Sequence, residues 1–264
     1  MEGPTVEYLG SRPIHVSGGH RFGTDAFLLA SFANARPKEK VCDLGSGCGI
    51  IPLLLLRAPQ PPAHVTALEI DPDAVALMEL TRADNKLAQA FTPVLGDLRA
   101  PPPLLKAGSF DLVTCNPPYF LPGAGAQSPD PARSRARSEG CCTLGDVCRA
   151  AARLLRYGGR FCLCHRPERL CDVVSALRGC NLEPKRLRPV LQRRGAAPWL
   201  LLWEARLGGN PGLEIAPALV VEHPDGGFSD EMLTIYQKTR RLPSKEAPGQ
   251  LLQSAHVSQN RRNS

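Results

Sequence analysis

No C-x-x-C pair occurs in this chain, although it contains ten cysteines among 264 residues. That absence excludes the common zinc frameworks and the thioredoxin-like redox motif. Disulfides are not expected either. Cys162 and Cys164 alternate with Phe161 and Leu163 in a strand-like run, where thiols act as small apolar side chains in a reducing compartment. His15, His20, His165 and His223 stand in no arrangement that calls for a metal or a catalytic base. Long apolar runs are missing as well. The longest, Ile50 to Leu56, is far short of the ~18 residues that a membrane helix needs. Residues 1–13 lack the basic-then-apolar pattern of a signal peptide. There is no internal repeat and no G-x-x-x-x-G-K-[ST] phosphate loop. A soluble cytoplasmic protein is expected, with no membrane contact, no metal and no obligate protein partner.

What is present is a series of strand ends, each carrying a polar or glycine signal. Val41 to Gly49 reads as a strand end followed by the alternating glycines Gly45, Gly47 and Gly49, which do not fit the G-x-G-x-x-G spacing of dinucleotide sites. Such glycines permit φ > 0 and let a ligand lie against the backbone. A second strand, His64 to Ile70, carries Glu69 roughly 20 positions beyond the glycines, where a carboxylate can take both hydroxyls of a ribose. Asp71-Pro72 opens a helix to about Asn85, with the proline in its first turn. A third strand, Phe91 to Leu95, ends at Gly96-Asp97-Leu98 and brings another carboxylate to the same sheet edge.

The most informative stretch is Asn116-Pro117-Pro118-Tyr119, which follows the apolar run Phe110 to Cys115. Open α/β sheets bind ligands at this kind of place, the carboxyl end of a strand. A base amine or a carboxamide NH2 is a poor nucleophile because its lone pair is delocalised into a π system. Two acceptors that grip its hydrogens, here the Asn116 side-chain oxygen and the Pro117 carbonyl, can return that lone pair to nitrogen. Tyr119 offers a face on which a flat substrate stacks, and Pro118 stiffens the turn.

Taken in order, these residues resemble the S-adenosylmethionine-dependent methyltransferases of the Rossmann-like class, in the NPPY branch that methylates amino nitrogens. A narrower likeness lies before the glycines, in His20 to Ala30. It continues after NPPY through Ala136-Arg137-Ser138-Glu139, Tyr157 to Phe161, His165 to Leu170, Trp203-Glu204-Ala205 and Gly208 to Leu213. These stretches are similar to the bacterial tRNA1(Val) adenine-N6 methyltransferase family, across roughly residues 6–237. The resemblance implies an α/β class I fold: a central, mostly parallel seven-stranded sheet with an antiparallel last strand and helices on both faces. It implies S-adenosylmethionine as cofactor, with Phe22 and Asp25 of the leading motif (residues 17–35) at its site. Asp43, Gly45 and Gly47 then surround the methionine part, Glu69 holds the ribose, Asp97 with Leu98 contacts the adenine, and Asn116 lies beside the sulfonium methyl. The implied partner is tRNA, and the implied target is adenine 37 of tRNA1(Val).

The rest of the chain keeps an α/β alternation: helix Thr143 to Arg156, strand Arg160 to Cys164, helix Glu168 to Arg178, and an antiparallel pair at about Arg186 to Leu191 and Leu200 to Glu204. A short helix is expected over Phe228 to Tyr236 with Ser229 as its cap, and Trp199 and Trp203 are expected in the core. Residues 1–237 are read as one domain, 121–140 as a mobile loop beside the site, and 238–264 as a disordered basic tail. The net charge of +7 favours a polyanionic partner. Phosphate contacts are expected of Arg133, Arg135 and Arg137, of Lys185, Arg186, Arg188, Arg193 and Arg194, and of Lys238, Arg240, Arg241 and Lys245.

Other readings stand beside this one: another RNA base-amino methyltransferase, or a protein-glutamine N5-methyltransferase that meets the same lone-pair problem. The glutamine reading is disfavoured because only about 40 residues precede the glycine loop, too few for that family's helical leading domain. A non-catalytic RNA-binding protein on the same fold is disfavoured by the presence of Asp43, Glu69, Asp97 and Asn116.

Overall fold

β-branched and apolar runs alternate with helical ones, and in the computed structural model they build a sheet covered on both faces. The structure describes residues 4–18, 20–117 and 142–238. A hairpin, β1 (Thr5–Leu9) and β2 (Arg12–Val16), is followed by α1 (Thr24–Ala33), β3 (Lys40–Leu44), α2 (Ile50–Leu56), β4 (His64–Glu69), α3 (Pro72–Asp84), β5 (Phe91–Leu95) and β6 (Phe110–Cys115). Then come α4 (Leu144–Leu154), β7 (Leu155–His165), a 3-10 turn (Pro167–Arg169), α5 (Leu170–Arg178), β8 (Leu182–Leu191), β9 (Pro198–Leu207), the two-residue β10 (Glu214–Ile215) and β11 (Leu219–Val220), and α6 (Asp230–Lys238).

The sheet runs β5-β4-β3-β6-β7-β9-β8, parallel throughout except for β9, which is antiparallel to both β7 and β8. This is the expected seven-stranded arrangement. Two short strands, β10 and β11, add parallel to the free edge of β8 and raise the total to nine. Side chains on β7 alternate between faces as their period of two requires. Phe161 and Leu163 pack with α4, α5 and Trp203, while Cys162 and Cys164 face α1 and α2. All seven residues of α2 are buried, which makes it an interior helix rather than an amphipathic one.

Helix starts follow the caps. Asp71 accepts the Asp73 N–H at 2.9 Å ahead of Pro72, Thr143 and Asp146 form a reciprocal capping box, and Ser229 Oγ accepts the Met232 N–H at 3.2 Å.

Several boundaries differ from the sequence reading. α4 stops at Leu154 because Leu155 pairs with Phe110 in the sheet. The ladder then shifts register before Arg160 meets Leu112, and Gly158, at φ +75°, permits the excursion. β8 begins at Leu182, earlier than expected. Its Pro184 and Pro189 lie outside the stretches that pair with β10 and β11, so their missing N–H groups interrupt no bond on that side. The segment expected as a helix from Glu168 starts as a 3-10 turn. The amino-terminal hairpin was not anticipated. It turns at Gly10, φ +66°, and docks on α3, where the His15 N–H donates to Thr81 Oγ1 at 3.0 Å and Asn85 Nδ2 donates to the Pro13 carbonyl at 2.7 Å.

Candidate active site

β3, β4, β5 and β6 end at one level, so the signals that follow them converge. Leu44 is in register with Leu68 and Cys115, and Glu69 with Leu95. The Gly45 N–H donates to the Leu68 carbonyl at 2.9 Å, and the Gly96 N–H to the Glu69 carbonyl at 2.8 Å. Gly45, Gly47 and Gly49 have φ of +65°, +55° and +80°, a region that side-chain-bearing residues enter only with strain. A Cβ on Gly45 or Gly47 would meet nothing within 4 Å, whereas one on Gly49 would strike Met78 at 2.8 Å. Gly49 therefore serves packing, and Gly45 and Gly47 present open backbone. Cys48, between Gly47 and Gly49, is buried, and burial pushes its thiol up to about 12, so it belongs to the core.

The three carboxylates differ sharply. Asp43 is only 1% exposed. Its Oδ1 accepts the Thr114 hydroxyl at 2.6 Å, while Oδ2 is buried with no hydrogen-bond partner among the described residues. Burial, with the neighbouring Glu69 charge, raises its pKa to about 7 against the pull of its hydrogen bonds. Glu69 accepts three backbone amides, from Gly47 at 2.9 Å, Ile70 at 2.9 Å and Asp71 at 3.1 Å. A carboxylate has about four lone-pair directions, so this arrangement leaves room for one hydroxyl; taking two requires exchange of an amide bond. Asp97 is gripped by the Arg99 guanidinium, with Nη2 to Oδ2 at 2.6 Å, and that bond first of all holds its carboxyl below the usual range. Leu98 beside it is partly buried against the α4 side of the core.

Asn116 follows β6 directly. Its Oδ1 accepts the thiol of Cys164 at 3.1 Å, and Pro117 is buried. On the neighbouring strand end His165 is buried. Its Nδ1 accepts the Arg166 N–H at 2.9 Å, and burial depresses its pKa. Pro118, Tyr119, the 121–140 segment with Arg133, Arg135 and Arg137, and the tail from residue 239 lie outside the described residues. Phe22 is half-buried near Phe27, ring centroids 6.0 Å apart, and Asp25 Oδ1 accepts the Ala26 N–H at 3.0 Å in the first turn of α1. The same segment reaches the exit of β4 through His20 Nε2, 3.0 Å from Asp71 Oδ2.

The second basic cluster is more engaged than its charge suggested. Arg186 pairs with Glu204 at 3.0 Å, Arg188 with Glu231 at 2.7 Å and Arg193 with Glu222 at 2.9 Å. Lys185 donates to the Asn210 carbonyl at 3.1 Å. Trp203 is in the core as expected; Trp199 is half-buried, with the Arg166 guanidinium 5.9 Å from its ring centroid. Thr114, Cys164 and Ile70 were missed. Ile70, directly after Glu69, is 55% exposed, an apolar surface at the site that a flat ring would cover.

The residues present fit S-adenosylmethionine. An unpartnered buried carboxylate oxygen on Asp43 suits a cationic ligand, the open backbone at Gly45 and Gly47 gives it a bed, and Glu69 and Ile70 supply an acceptor and an apolar face. No group of three or more metal-binding side chains occurs among the described residues, and no described helix is long and apolar enough to cross a membrane.

Comparison with known proteins finds methyltransferases. The methyltransferase small domain family matches residues 18–128. A tRNA1(Val) (adenine(37)-N6)-methyltransferase of Erwinia tasmaniensis is 30% identical over 224 residues, covering 79% of this chain and 83% of the relative. One from Tolumonas auensis is 28% identical over 215 residues, covering 81% and 87%. Among solved structures, a predicted O-methyltransferase of Agrobacterium tumefaciens superposes with a TM-score of 0.67 at 18% identity, covering 84% of this chain and 100% of that one. The geranyl diphosphate C-methyltransferase of Streptomyces coelicolor gives 0.51 at 11% identity, covering 69% and 76%. At such identities the likeness speaks for the fold, which hosts oxygen, carbon and nitrogen acceptors alike. The sequence relatives carry the finer assignment: this chain belongs to the tRNA1(Val) (adenine(37)-N6)-methyltransferase family of S-adenosylmethionine-dependent enzymes.

Proposed function

We propose that the protein methylates the exocyclic N6 of an adenine in tRNA, with adenine 37 of tRNA1(Val) as the target. The observation that carries this reading is the convergence of the glycine loop, Glu69 and Asn116 at one sheet edge, in a chain whose relatives bear that name. When bound, S-adenosylmethionine supplies a methyl group on a positively charged sulfur. Asp43 would face the cationic end of that molecule, Gly45 and Gly47 would lie against it, Glu69 would hold a ribose hydroxyl, and Phe22, Asp25, Asp97 and Leu98 would complete its surroundings.

Asn116 Oδ1 and the Pro117 carbonyl accept the two hydrogens of the target amine, which returns its lone pair to nitrogen and aims it at the methyl carbon. Pro118 would limit the freedom of the chain after Pro117, and Tyr119 would stack on the base, which must be unpaired or extruded to reach the pocket. As the new N–C bond forms, the bond from the methyl to sulfur breaks and the sulfur leaves as a neutral thioether; the methylated N6, briefly cationic, then gives one proton to solvent, and no covalent enzyme intermediate is needed. The buried thiols support this, since burial pushes Cys48 and Cys162 up to about 12 and keeps them from acting as nucleophiles. Arg133, Arg135 and Arg137 would neutralise RNA phosphates beside the site, and residues 1–237 would act as one domain in the cytoplasm.

Tyr119 gives a direct check on the substrate side. Tyr119→Ala is expected to lower kcat/KM for tRNA about tenfold or more, the usual scale of a lost base–aromatic stack, while Tyr119→Phe keeps most activity. Steady-state kinetics with tRNA read the difference; equal losses would move the role from the ring to the hydroxyl. In cells, nucleoside mass spectrometry of tRNA with and without the gene is expected to reveal loss of N6-methyladenosine from a valine tRNA. An unchanged nucleoside profile would remove the tRNA reading.

A further inference from the structure

Thr114 is a buried hydroxyl in an otherwise apolar stretch of β6, and such a group is costly unless bonded. Its bond goes to Asp43. The two residues are register partners on adjacent strands, Thr114 Oγ1 donates to Asp43 Oδ1 at 2.6 Å, and the other carboxylate oxygen stays buried and unpartnered among the described residues. Thr114 meets Asp43 across the ladder, and Asn116, just past the end of β6, accepts the thiol of Cys164, which faces α1 and α2. The β-branch of Thr114 restricts its χ1, which fixes the direction of the hydroxyl.

We propose that Thr114 is a positioning residue: it holds one oxygen of Asp43 so that the other is presented to the cofactor, in register with the acceptor group of Asn116. This inference rests on the reading that Asp43 borders the cofactor. The hydroxyl donates and the carboxylate accepts, so the bond also favours the ionised carboxylate that a cationic ligand requires. The other titratable groups near Asp43 are Glu69 on β4, which opposes its ionisation, and the thiols of Cys42, Cys48 and Cys115. Those thiols are pushed up by burial and stay neutral through the range that matters.

The test is calorimetric binding of S-adenosylmethionine to the full chain from pH 5.5 to 8.5, for wild type, Thr114→Val, Thr114→Ser and Thr114→Ala, with thermal melts to establish that each variant is folded. Thr114→Val is nearly isosteric and lacks the donor. It is expected to bind about tenfold more weakly at pH 7, the scale of a hydrogen bond to a charged group, with the pH midpoint of binding moved upward. Thr114→Ala should follow it, and Thr114→Ser should restore both affinity and midpoint. Wild-type affinity and pH profile in Thr114→Val would overturn the proposal and leave the methyltransferase reading intact. Weakening that is equal at every pH, without rescue by Thr114→Ser, would also overturn it, as a packing effect. Absence of binding by the wild type would instead remove the reading on which the proposal rests.

Discussion

Asn116→Ala is expected to reduce kcat for tRNA by about 10²–10³-fold, the scale seen when one preorganised polar group is removed from a reacting centre. Affinity for tRNA and for S-adenosylmethionine should change little. The reason is where the interaction acts. In the proposed mechanism the amide oxygen would contribute most as the target nitrogen recovers its lone pair, so its loss should be felt in the transition state more than in binding. Folding should survive the change, because Asn116 is only half-buried and lies past the last residue of β6, outside the sheet ladder. Single-turnover rates and filter-binding affinities on the same preparations separate the two effects. A rise in KM with kcat unchanged would assign Asn116 to ground-state binding and contradict the mechanism.

If Asp43 borders the cofactor as proposed, cofactor binding is expected to be pH-dependent, in a direction that follows from its environment. Burial raises its pKa to about 7, so in the free protein this carboxyl changes from mostly protonated to mostly ionised as pH rises through neutrality. A cationic ligand selects the ionised form. Affinity for S-adenosylmethionine should therefore increase with pH, by up to about tenfold per unit below 7, and level off above it. Binding at pH 6 should release close to one proton per site, measured by calorimetry in buffers of different ionisation enthalpy, and the release should fade as pH passes 7. For stability the sign is opposite. A carboxyl whose folded pKa lies above its unfolded value contributes stability that is present below pH ~4 and lost as pH rises through ~7, so the free protein loses this contribution toward pH 8. Asp43→Asn should flatten the pH dependence and weaken binding at pH 8 about ten- to a hundredfold. A pH-independent affinity in the wild type would contradict the assignment of Asp43 to the cationic end of the cofactor.

The strands that form the site were legible because each is a short β-branched or apolar run cut off by a glycine or a polar residue. Phe91–Leu95 and Phe110–Cys115 have the bounds read from the sequence, and β4 ends one residue short at Glu69. The convergence of their ends then follows from parallel order and register. The hairpin over Thr5–Val16 was not legible, since β1 is largely exposed and alternates weakly. β8 was read from Arg186 although it starts at Leu182; Pro184 lies in the part that was missed, and both Pro184 and Pro189 fall outside the residues that pair with β10 and β11. Thr114 and Cys164 were hidden by their own strand propensity. In sequence they read as interchangeable β-branched and small apolar residues, and only the register sets one against Asp43 and the other against Asn116. The arginines of β8 and its following loop misled in the other direction. Sequence proximity groups their charges, while Glu204, Glu222 and Glu231, distant along the chain, pair with Arg186, Arg193 and Arg188.

The proposed role of Asn116 and Pro117 is to grip a nucleic-acid base amine rather than a protein carboxamide. The most direct measurement incubates the full chain and methyl-labelled S-adenosylmethionine with total tRNA and, in parallel, with a glutamine-containing release-factor protein. Label is then located by nuclease digestion and mass spectrometry. Label is expected in tRNA as N6-methyladenosine at position 37 of a valine tRNA, and none in protein. Label in the protein substrate and absent from tRNA would contradict it.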